Sequence, residues 1–169
     1  MNQVEGLVIK EAAGEDFIEI RPLIVKRAEE LKLSDGGISD INKLVRDYCS
    51  KPAKFYCLVC ELDTKIIGYV IYTFGFCVHQ GRSISLDEFY VVPDYRKAAQ
   101  LLLFKRIVEI THNFGHLRLA WLSSKNSLEM HEFWVKHGTT VYSEEKGYLQ
   151  YRLDKSTIQE RHCRVLTNC

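Results

Sequence analysis

The segment "LDEFYVVPDYRKAAQLLLFKRIVEI", residues 86–110, passes from an apolar strand through a Pro-Asp corner directly into a helix. A strand feeding a helix through a tight turn places this chain in the α/β class. It is also a common way to cradle a phosphate, because the first N–H groups of the helix point at the anion. Such cradles use glycine so that the backbone can approach the oxygens. Here the turn reads Arg96-Lys97-Ala98-Ala99-Gln100-Leu101, with no glycine.

The flanking pattern supplies the rest of the fold. "LVIKEA" (7–12) reads as a first strand. A helix follows from Gly14 to Leu33, with Ile20, Leu23, Ile24, Ala28 and Leu31 as its apolar stripe, and Pro22 predicts either a kink there or a helix that really starts later. After the loop 33–40, Ser39 is a cap for a short helix carrying Ile41, Leu44, Val45 and Tyr48. Three strands, 55–62, 66–78 and 83–92, form an antiparallel meander. A helix over 96–113 turns Leu103, Phe104, Ile107, Val108 and Thr111 to one side. A strand at 117–123 then returns beside the preceding one by a right-handed crossover. The next helix, 126–137, carries Leu128, Met130, Phe133 and Trp134 and stops at Gly138. The last pair, 139–143 and 148–154, reads as a hairpin around Glu144-Glu145-Lys146-Gly147. The expected order is β α α β β β α β α β β, a mixed and mostly antiparallel central sheet with helices on both faces. One domain over residues 1–155 and a polar tail over 156–169 account for the chain.

Composition excludes several classes. A length of 169 residues, 46% hydrophobic and 27% charged, suits one compact domain with its own core. A formal net charge of +1 without a basic cluster argues against nucleic-acid binding. The first residues lack a basic segment followed by an apolar run, and no stretch approaches the ~20 apolar residues of a membrane span. Six cysteines without an export signal predict reduced thiols in a cytoplasmic or nuclear setting. Cys57 and Cys60 have the spacing of a metal or redox pair but fall inside a strand, so buried thiols are the better reading. His112 and His116 are separated by Gly115 near a helix end, and His131 and His137 share no face, so no metal site is expected.

The element order, together with "FYCLVCEL", "IIGYVIYTF", "LDEFYVVPDYR" and "YSEEKGYLQYRLD", resembles the Gcn5-related N-acetyltransferases, and within them the diamine (spermidine/spermine and thialysine) acetyltransferases. The likeness covers roughly residues 7–155. It implies acetyl-CoA as cofactor, a small cationic amine as acceptor and a homodimer, the assembly such proteins usually adopt. It assigns Asp87 and Glu88 to the acceptor amine. Val91, Arg96, Lys97, Ala99 and Leu101 fall along the strand end and turn that hold the pyrophosphate, and Asn126 matches an asparagine touching the CoA arm. Trp134 stands where a tyrosine protonates the leaving thiolate. Glu29, Glu30 and Asp35 add negative charge for a polyamine.

Three of these positions depart from the pattern. Ala99 and Leu101 replace two glycines of the turn, which implies weakened CoA binding. The indole N–H of Trp134 is a donor that cannot release its proton near neutral pH, so Trp134 is no competent general acid. Losing such an acid costs typically about 10²–10⁴ in rate. Asp87 and Glu88, as strand neighbours, face opposite ways unless a bulge re-aims one of them. Each residue also has a plain alternative. Trp134 can be core packing, Asn126 an N-cap, Asp87 and Glu88 an exposed pair, and Glu29 and Glu30 a solvated helix end. Two functions follow from the resemblance: a polyamine or diamine N-acetyltransferase, or a catalytically impaired member of the fold that binds a protein partner. Acetylation of a protein or peptide is a third.

Overall fold

The computed structural model describes residues 6–33, 40–79, 81–115, 118–147 and 157–158. Its contacts fall into two units, Met1–Ser124 and Lys125–Cys169.

The first unit holds a five-stranded sheet: β1 (Val8–Glu11), β2 (Tyr56–Leu62), β3 (Lys65–Cys77), β4 (Gly81–Val91) and β5 (Arg118–Trp121). The strands lie in sequence order, antiparallel from β1 to β4, with β5 parallel to β4. The mixed, mostly antiparallel sheet read from the sequence is therefore the one observed. One face carries Cys57, Val59, Ile66, Tyr69, Ile71 and Tyr90, which pack with Phe17, Ile20 and Leu23 of helix α1 (Phe17–Glu30). The alternate residues Leu58, Val70, Leu86, Phe89 and Val91 are equally buried and point to the opposite face. Across the sheet lies α3 (Arg96–Asn113), which contacts every strand and buries Ala99, Leu103, Phe104, Ile107 and Ile110. Between α1 and β2, α2 (Ile41–Tyr48) rests on α1, and the Tyr48 hydroxyl donates to the carbonyl of Ala12.

Several expectations need correction. A short 3-10 turn, Gly14–Asp16, precedes α1, so the α-helix starts later than Gly14, though still ahead of Pro22, which lies inside it. It ends before Leu33 because Lys32 adopts a left-handed φ of 53°. In that conformation Leu33 N–H donates to Ala28 and Lys32 N–H to Glu29, closing the last turn without a glycine. The cap of α2 is Asp40, whose carboxylate accepts from Asn42 N–H, and Ser39 lies outside the described residues. On α3, Val108 is exposed and Ala99, Gln100 and Ile110 are buried in its stead, so the inward face is rotated from the one read in the sequence.

The second unit contains α4 (Leu128–Lys136) and α5 (Tyr142–Lys146). Ser127 occupies the cap position of α4, so Asn126 is not its N-cap, and Leu128 is exposed. The segment 139–143 is no strand: residues 142–146 are helical, and Gly147 ends the turn at a left-handed φ of 66°. Glu144, Glu145 and Lys146 favour helix over strand, and that local preference prevails. The expected partner strand, 148–154, lies outside the described residues.

Candidate active site

The site is organised by an extra residue in β4. Ile71 of β3 pairs with Glu88 and Tyr72 pairs with Leu86, so Asp87 has no partner of its own. This bulge resets the alternation of the strand. Leu86 and Phe89, three positions apart, are both buried, whereas Glu88 turns to the α1 face with Tyr90. The parallel pairing of β4 with β5 stops at Leu86 and Trp121, one residue before the extra residue. β4 continues to Val91, held close to β3 by Gly68, where an added Cβ would lie 2.8 Å from Val91 Cγ2 and 2.9 Å from the Tyr90 carbonyl.

Glu88 is thereby aimed at Tyr69, whose hydroxyl donates to Glu88 Oε2 at 2.6 Å. Burial pushes the Glu88 carboxyl above its usual range. The Tyr69 hydrogen bond pulls it back, the charge of Asp87 pushes it further up, and Arg27 pulls it down. Tyr69 is fully buried, and burial, followed by the Glu88 charge, holds its phenol protonated. Asp87 itself is exposed.

A second group sits one step along the strand. The Tyr90 hydroxyl donates to Glu30 Oε1 at 3.1 Å, and its phenol is pushed up to about 12, by burial first and then by Glu30. Nη2 of Arg96 donates to both oxygens of Glu30, at 2.9 and 2.8 Å, and Nε of Arg96 donates to the carbonyl of Val91. Arg27 approaches the same carboxylate at 3.5 Å. Glu30 and Arg96, assigned from the sequence to the amine and to the pyrophosphate, are thus joined to each other.

The chain enters α3 through a 3-10 turn, Pro93–Tyr95. No side chain caps α3 and its first turn has no acid, so Arg96 and Lys97 stand at its positive end. That is a fit for an anionic arm. The methyl of Ala99 is fully buried beneath the helix, so alanine in place of glycine does not fill the outer surface of the turn. Leu101 is half-buried and Lys97 exposed. The side chain of Val91 is buried in the sheet.

Glu29 is exposed, and Asp35 lies outside the described residues. Asn126 and Trp134 belong to the second unit. Asn126 is exposed in a turn, and Trp134 is buried with its ring edge-to-face on Phe133 at 4.8 Å. Cys57 and Cys60 are free and buried, and burial pushes the Cys60 thiol up to about 11. No cluster of metal-ligating side chains occurs among the described residues, and no described helix is long and apolar enough to cross a membrane.

Sequence reasoning missed Tyr69, Tyr90 and Arg27. The available signal was a tyrosine inside each of two buried strand runs, "GYVIY" and "EFYVV", since a buried phenol needs a hydrogen-bond partner.

A mixed sheet whose fourth and fifth strands pair only over a short stretch, with a strand–turn–helix beyond, is the fold of the Gcn5-related N-acetyltransferases. The chain matches the ribosomal-protein-alanine N-acetyltransferase of Brucella melitensis with a TM-score of 0.70 at 17% identity, over 89% of this chain and 99% of that one. It matches a predicted acetyltransferase from Clostridium acetobutylicum, solved with acetyl-CoA, with a TM-score of 0.67 at 15% identity, over 87% and 96%. In sequence, the chain is related to the thialysine N-epsilon-acetyltransferase of Mus musculus, 28% identical over 164 residues, 90% of this chain and 95% of that protein. No protein-family model matches the chain.

Proposed function

We propose that the chain is an acetyl-CoA-dependent N-acetyltransferase whose acceptor is a small diamine or polyamine. The observation that carries this reading is Glu88, a half-buried carboxylate turned by the Asp87 bulge onto the α1 face. Similarity to thialysine acetyltransferases over nine-tenths of the chain agrees with it.

In this reading Glu88 binds an ammonium group of the acceptor. A carboxyl raised by burial is a better proton acceptor than an ordinary glutamate, so Glu88 also takes the proton that must leave before the amine can attack. Asp87, exposed beside it, draws in the remaining positive charges of a polyamine. Lys97 and the positive end of α3 bind the anionic arm of the cofactor. When bound, acetyl-CoA supplies an acetyl thioester open to attack by a neutral amine. Residues 1–155 form the transferase domain in this reading, residues 156–169 are a tail, and two copies assemble.

The alternative, a member of the fold that binds partners without useful turnover, is favoured by Trp134 and by the engagement of Arg96 with Glu30. Titration calorimetry with acetyl-CoA and with spermidine, followed by measurement of released CoA thiol, separates the two. Binding of both with thiol release supports the transferase. Binding without release supports the alternative, and binding of neither overturns the proposed function.

A further inference from the structure

Resting on the amine-acceptor reading, we propose that Tyr69 is a positioning residue for the acceptor: its hydroxyl fixes one oxygen of Glu88 and leaves the other for an incoming ammonium. Tyr69 stands on β3 diagonally across from Glu88, on the same face of the sheet. Its ring is fully buried, so phenylalanine would pack there equally well and the hydroxyl is the part that needs a purpose. That hydroxyl is directed to Glu88 Oε2, while Oε1 takes no hydrogen bond from a described residue.

The surroundings leave Glu88 short of positive charge. Facing it are Tyr69 from β3, Asp87 from its own strand and Arg27 from α1. Arg27 also approaches Glu30, itself clasped by Tyr90 and Arg96. A half-buried carboxylate with one neutral donor, one like charge and a shared arginine gains from a cation supplied by solution. Burial keeps the phenol protonated, so it acts as a donor to the carboxylate. It favours the ionised form of Glu88 and holds it in one rotamer.

The test follows the Glu88 carboxyl carbon by NMR through a pH titration, in the wild type and in Tyr69→Phe, each with and without saturating spermidine. Removing the hydroxyl removes a bond to the ionised form, so the Glu88 pKa should rise in Tyr69→Phe. Spermidine should lower it in the wild type, and lower it less in the variant. Calorimetry should show weaker spermidine binding by Tyr69→Phe, with its acid limb moved to higher pH and acetyl-CoA affinity unchanged. If spermidine binds the wild type and leaves the Glu88 titration unmoved, the roles of Tyr69 and Glu88 are overturned, while an amine acceptor held by other residues stands. An acid limb at the same pH in both proteins overturns it too. If spermidine does not bind at all, both fail. The wild-type arm decides even if Tyr69→Phe does not fold.

Discussion

Arg96 and Glu30, distant in sequence, meet through a single guanidinium nitrogen that donates to both carboxylate oxygens at 2.9 and 2.8 Å. The arginine side chain is 19% exposed and the glutamate 33%, so the pair is only partly screened by water. An anion arriving at the positive end of α3 must compete with Glu30 for Arg96.

Glu30→Gln should therefore tighten binding of acetyl-CoA. A partly exposed ion pair is worth up to about 1 kcal/mol, which corresponds to up to about fivefold in affinity. Calorimetry with acetyl-CoA, and with CoA lacking the acetyl group, reads the effect. Unchanged affinity for both would show that Arg96 is not part of the anion site.

The Glu88 carboxyl gives a pH signature in stability. Its pKa in the folded protein is raised, so the folded state holds a proton that the unfolded chain has released. Stability from this group is fully present below the ordinary glutamate range, near 4.5, and falls as pH rises through the folded pKa. Glu88→Gln keeps an acceptor for Tyr69 and never ionises. It should raise the melting temperature at pH 7 relative to wild type, with the difference shrinking toward pH 4. A constant difference at all pH values would contradict a strained carboxylate.

The two altered turn positions should behave differently. Ala99→Gly removes a buried methyl and introduces a flexible residue into a helix, a loss of about 1–2 kcal/mol with no gain in acetyl-CoA affinity. Leu101→Gly clears a half-buried side chain near the anion site and should tighten binding despite its own stability cost. Denaturant melts and calorimetry on the two single variants measure both effects. Tighter binding by Ala99→Gly would mean that its methyl blocks the turn.

If Trp134 stands at the leaving thiolate, as the resemblance implies, Trp134→Tyr should raise turnover, because a phenol can give up a proton and an indole cannot. The ceiling is the roughly 10²–10⁴-fold contribution of a positioned general acid. Thiol release measured alongside the melting temperature separates chemistry from packing. Unchanged turnover in a stable variant would place the proton source elsewhere.

The strands and the long central helix were legible because their signals are local. Apolar runs between turn residues bound β2, β3 and β4 to within two residues, and α3 spans Arg96–Asn113 as read. The rotated inward face of α3 was not legible, because apolar spacing alone allowed either Val108 or Ile110 to be covered. The helix at 142–146 was hidden by its neighbours: Thr139, Thr140, Val141 and Tyr142 have strand-forming side chains, so the helix formers Glu144, Glu145 and Lys146 read as the turn of a hairpin. Within the site, the Asp87–Glu88 pair was readable from the strand, whereas a bulge beside it was implied only by the resemblance. Which of the two turns toward α1 depends on pairing with β3, and the engagement of Arg96 by Glu30 joins α1 to α3, so neither has a local signature.

The unpaired Asp87 also acts as a phase shift written into the strand. Upstream of it, even-numbered positions such as Ile84 and Leu86 carry the α3 face. Downstream, the odd-numbered Phe89 and Val91 do so, and the even-numbered Glu88 and Tyr90 are delivered to α1. Substitutions can change what each face displays, but only the gain or loss of a whole residue can exchange the faces. The chemistry of this strand end is thus set by the count of residues as much as by their identity, and an alignment with its gap drawn one place away would assign every downstream side chain to the wrong side of the sheet.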